Sequence, residues 1–131
     1  MGSEADNGQT QLIAKAFGVT GGVPFAAVAY VLFESYLLAG VLLVTEGIGS
    51  YYLLTYVFAQ NEEVDGHGSP GGIHEGALGF GLSIGSVSML AGAFADVGVP
   101  DAIAGGLLVA TVAYVVLSFA LPPVKEDRAA L

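Results

Sequence analysis

Among the residues able to do chemistry, Glu34 has the most demanding setting. It stands in residues 25–44, FAAVAYVLFESYLLAGVLLV, a run of 20 residues with one charge. As one helix that run reaches about 30 Å, the thickness of a bilayer's hydrocarbon core. A charged carboxylate at such depth costs on the order of a few kcal/mol or more. Glu34 is therefore expected to face protein, with Tyr30 one turn back as the polar neighbour on its own helix. Two roles fit. The first is a carboxyl that handles protons or cations. The second, which weighs more because no second acid in the run completes a relay, is a neutral Glu giving one interhelical hydrogen bond or pairing with a base on another subunit.

His67 and His74 flank a glycine-rich stretch with Glu62, Glu63, Asp65 and Glu75 nearby. Imidazoles and carboxylates together can hold a divalent metal. The spacing is loose, however, and a glycine-rich loop loses much entropy on closing around an ion. Solvent-facing histidines are the better reading, and no metal is expected. Neither histidine falls inside an apolar segment, so two helices of this chain cannot supply axial ligands to a haem. Gly76, Gly79 and Gly81 give G-x-x-G-x-G without a preceding strand, which is not a dinucleotide motif. HExxH and phosphate-loop motifs are absent from the sequence, as is cysteine. Five of the six tyrosines suit the headgroup level (Tyr51, Tyr52) or internal hydrogen bonds (Tyr30, Tyr56, Tyr114) better than radical chemistry. No cofactor and no autonomous enzyme activity are expected.

The elements that must position these residues follow from composition. The chain has 131 residues, 54 % hydrophobic and 11 % charged, with mean hydropathy +0.73. A soluble protein of this size covers its surface with roughly a quarter charged residues. Lipid removes that need. With 12 acids against 3 bases, the chain is unsuited to nucleic acid. The acidity fits water-exposed parts facing high salt or, less well, a cationic partner.

The expected fold is all-α, a small polytopic membrane bundle with four segments near 24–44, 46–60, 73–95 and 101–121. Residues 1–22 read as a polar acidic leader, disordered over 1–10 and carrying a short amphipathic segment at 11–19. Gly18, Gly21 and Gly22 break it, and Pro24 suits a helix start. Residues 45–50, TEGIGS, read as a turn. That leaves 46–60 short for a crossing, or re-entrant. Residues 61–72 form an acidic glycine-rich loop, and 122–131 a polar tail. Lys15, Lys125 and Arg128 flank the outermost segments, which places both termini in the cytoplasm of a multi-pass protein of the cell membrane.

On the third segment Gly81, Gly85, Ser88 and Gly92 recur on one face, and Gly79, Ser83 and Ser86 on another. Small residues let helices in lipid approach closely, so this helix should lie centrally. Gly106, Ala110 and Ala113 on the fourth segment are the matching surface, which makes the last two segments a tight hairpin.

The function expected from these features is a non-catalytic membrane subunit or assembly partner, bound to lipid and to another membrane protein or to copies of itself. The alternative is a small oligomeric transporter or proton/ion channel that uses Glu34.

Overall fold

The structure is a computed structural model that describes residues 2–62 and 73–122. Four helices account for nearly all of them: α1 (Gly2–Phe33), α2 (Tyr36–Glu62), α3 (Glu75–Phe94) and α4 (Val99–Ala120). Each contains a stretch long and apolar enough to cross a membrane: Lys15–Phe33, Tyr36–Ala59, Glu75–Phe94 and Val99–Ala120. The protein is a multi-pass helical bundle. Its outward faces carry bare apolar side chains, with Val31 70 %, Leu108 66 % and Phe119 88 % exposed. Water would penalise such a surface; acyl chains do not.

Helices adjacent in sequence pack side by side, so the chain runs up and down with α2 and α3 as the inner pair. The α1–α2 and α3–α4 turns lie at one end. There Ala29, Leu38, Leu42, Met89 and Ala93 form the buried core, and Phe33 meets Phe94 edge-on at 5.0 Å. The start of α3 and the end of α4 meet at the opposite end.

The first crossing ends sooner than the hydropathy of 25–44 implies. The chain turns at Glu34 and Ser35, in the middle of that run. Glu34 takes the left-handed conformation, φ 51, which closes α1 while its amide still donates to the Tyr30 carbonyl at 2.9 Å. Ser35 then caps α2, its Oγ accepting from the Leu38 amide at 3.1 Å. A capping hydroxyl and one left-handed residue satisfy both helix ends locally, so a two-residue polar pair reverses an apolar chain. A hydropathy window sums composition and is blind to chain direction.

The boundaries on either side move accordingly. The segments expected at 24–44 and 46–60 are instead 15–33 and 36–59, so the second is a full crossing, neither short nor re-entrant. Residues 45–50 are no turn; they continue α2, and Gly47 and Gly49 serve packing. A Cβ on Gly49 would stand 3.0 Å from Leu82 Cβ and 3.1 Å from Ser83 Oγ. Residues 1–22 are likewise no separate leader. Helix α1 starts at Gly2, and Pro24 lies inside it, removing the amide that would bond to the Thr20 carbonyl. Gly18, Gly21 and Gly22 do not break the helix but seat it on α2, against Tyr51, Ser50 and Leu43.

Helix α3 does lie between two neighbours. A Cβ on Gly85 would stand 2.7 Å from both Ala110 Cβ and the Gly106 carbonyl oxygen of α4. On the other face, a Cβ on Gly79 would stand 2.5 Å from the Leu53 amide nitrogen of α2. Gly81 faces Ala110 and Tyr114, Gly92 faces Ala102, and Gly106 takes the side chain of Met89. Ser88 returns its hydroxyl to the Ile84 carbonyl of its own helix.

Candidate functional site

Two carboxyls are buried among the described residues, Glu75 in the first turn of α3 and Glu46 inside the bundle. Glu34 is exposed at the α1–α2 turn, which corrects its expected intramembrane position. Tyr30 pairs its hydroxyl with that of Tyr36 at 3.3 Å across the same turn. Glu46 lies near the middle of the crossing Tyr36–Ala59 and is 7 % exposed.

A cluster of hydroxyls surrounds it, contributed by the two inner helices. Ser50, one turn along α2, donates to Glu46 Oε1 at 3.1 Å. Ser83 of α3 donates to the same oxygen at 3.3 Å. Thr45 and the fully buried Ser86 hold their hydroxyls 2.9 Å apart. Because Ser86 spends its hydrogen on the Leu82 carbonyl at 2.9 Å, Thr45 is the donor of that pair. Ser86 also lies beside the Glu46 carboxyl.

Glycines make the cluster possible. Gly49 and Gly79 draw α2 and α3 close enough for Ser83 to reach Glu46, and Gly21 of α1 closes over Ser50. The sealed polar pocket leaves one group unanswered. Glu46 Oε2 is buried without a hydrogen-bond partner among the described residues. A charged oxygen there would lack a donor, and a protonated one would lack an acceptor. Either form is expensive at this depth.

Sequence reasoning missed Glu46 because reading 45–50 as a turn put it in water. Its signature was present nonetheless: an acid with Ser50 at i+4, facing a helix that carries Ser83 and Ser86 on its second small face.

His74 performs a different task at the terminal end of the bundle. It is the N-cap of α3, with Nδ1 accepting from the Ala77 amide at 3.1 Å. Its Nε2 lies 3.2 Å from the Leu121 carbonyl oxygen. An accepting Nδ1 leaves the hydrogen on Nε2, so the neutral ring donates to Leu121 and joins the start of α3 to the end of α4. Tyr56 of α2 adds a bond to the Pro122 carbonyl at 2.7 Å, and Tyr114 accepts from the His74 amide at 3.3 Å. Both ring nitrogens are thus engaged in structure. His67 lies outside the described residues, and among the described residues no group of three metal-ligating side chains occurs.

Tyr51 and Tyr52 stack edge-on at 5.3 Å and, with Lys15, line a shallow apolar groove between α1 and α2. Compared with protein-family models, curated proteins and solved structures, the chain matches none, so its chemistry is argued from Glu46 and its neighbours alone.

Proposed function

We propose that the protein is a small membrane transporter of protons or small cations, and that Glu46 is its working group. One observation carries the reading: a carboxyl buried at mid-membrane, bonded by hydroxyls from two helices, with one oxygen left without a partner among the described residues. Intramembrane carboxyls are costly, and they characteristically sit on ion or proton paths. The alternative, a non-catalytic assembly subunit, drew its support from the two small-residue faces of α3. Those faces are spent within the chain, one on α2 and the other on α4, which removes the main reason to expect a partner there.

Lys15 lies on the same end as Pro122, after which Lys125 and Arg128 follow in sequence. Bases flanking the outermost crossings in sequence support a cytoplasmic location for both termini.

The test is ion uptake into proteoliposomes under an imposed potential, read with an internal pH dye and with radioactive sodium. The native protein should exceed empty vesicles for at least one ion. Glu46→Gln should reduce that uptake roughly tenfold or more, while Glu34→Gln leaves it unchanged. Gln keeps the shape and an oxygen that accepts from Ser50 and Ser83, so the variant should fold. Native protein that moves neither ion contradicts the reading.

A further inference from the structure

We infer that the Glu46 cluster is a binding site for a small monovalent cation of sodium's size, liganded by the Glu46 carboxylate and the hydroxyls of Ser50, Ser83 and Ser86. This rests on the proposed function and names the ion.

The starting point is Glu46 Oε2, a carboxylate oxygen at least nine-tenths buried and without a partner among the described residues. A proton on Oε2 finds no acceptor in the present hydroxyl arrangement, and a serine turned to accept it would answer one oxygen only. A cation resolves it in one step. It neutralises the carboxylate and takes up both oxygens.

The hydroxyls are free to serve as ligands. Ser50 and Ser83 donate to Oε1. Each can instead turn its hydrogen to the carbonyl four residues back on its own helix. Ser86 does so towards Leu82, Ser88 towards Ile84 and Ser118 towards Tyr114. A serine in that rotamer presents its oxygen lone pairs outward. With three such hydroxyls and a bidentate carboxylate, the site offers five hard oxygens from two helices.

Charge and size select the ion. One carboxylate balances one positive charge, so a divalent ion would leave a net charge in the bilayer. Hard oxygens exclude soft metals. An ion of roughly calcium's radius, which sodium closely shares, sits about 2.3–2.6 Å from its oxygens, so ligands at right angles about it stand about 3.3–3.7 Å apart. Oxygens in the cluster stand 3.1 and 3.3 Å apart, and small outward shifts accommodate such an ion. Potassium, the larger ion, needs larger shifts, against the close approach of α2 and α3 at Gly49 and Gly79.

The experiment compares thermal unfolding of the detergent-solubilised full chain in sodium, potassium and choline chloride at equal ionic strength. Matching the ionic strength separates a bound ion from a general response of an acidic protein to salt. Sodium should raise the midpoint about 3 °C or more above potassium. Ser83→Ala should shrink that increment, and Glu46→Gln should abolish it. Radioactive sodium should bind once per chain. Equal midpoints in sodium and potassium, or a sodium increment that survives both substitutions, would overturn the assignment. Proton uptake that persists in sodium-free vesicles and is lost in Glu46→Gln would then leave the proposed function standing without it. Should Glu46→Gln not fold, Ser83→Ala and Ser50→Ala carry the same comparison.

Discussion

At the scale of single residues, polar side chains in this bundle divide by whether their bonds close. His74 is the closed case. It accepts at Nδ1, donates at Nε2, and through its amide meets Tyr114, so its chemistry is consumed in joining α3 to α4. Its neighbour Gly76 leaves room for the Tyr56 ring, whose carbons would stand 2.8 Å from an added Cβ. His74→Ala should cost about 1–2 kcal/mol, from a lost cap and a lost tertiary bond. A lowered unfolding midpoint with undiminished ion uptake per folded molecule is the expected outcome. Loss of uptake at full stability would instead give the histidine a role in transport. Glu46 is the open case. Ser50 and Ser83 answer one of its oxygens and nothing among the described residues answers the other, which is why ion handling is assigned here and not at His74.

At the scale of helices, glycine sets the architecture. Gly85→Leu should part α3 from α4 and cost about 3 kcal/mol or more, since even a Cβ there meets Ala110 and the Gly106 carbonyl at 2.7 Å. The control is Gly105→Ala, one position from Gly106 but with nothing within 4 Å; a slight gain of about 0.5–1 kcal/mol is expected from helix propensity. Unfolding midpoints in detergent read both. The α3–α4 hairpin was legible in the sequence because small residues at helical spacing have few other uses in an apolar segment. The α1–α2 hairpin was not. Gly18, Gly21 and Gly22 are the same device, yet beside Pro24 they read as a break, and Gly47 and Gly49 beside Glu46 read as a turn. Glycine signals a turn or a close approach equally well, and only the partner helix decides between them. The real turn, at Glu34 and Ser35, contains neither glycine nor proline. Misplacing that turn by about ten residues moved the wrong acid into the membrane.

At the scale of the whole molecule, four crossings bring the two short turns to one end, while Lys15, His74 and Pro122 lie towards the other. Four segments were expected from the sequence, although two of the four crossings had wrong limits. Acidic side chains stand at the turn end, with Glu34, Asp96 and Asp101 exposed, and Glu46 alone among the described acids is carried to mid-depth.

The account therefore depends on where the chain reverses. The sequence contains no cysteine, so single cysteines placed at positions 34 and 46 report it without background. In intact vesicles, Glu34→Cys should react promptly with a membrane-impermeant maleimide added to the side of the turns. Glu46→Cys should remain unlabelled from either side until the bundle is unfolded. Rapid labelling at position 46 with protection at position 34 would contradict the account.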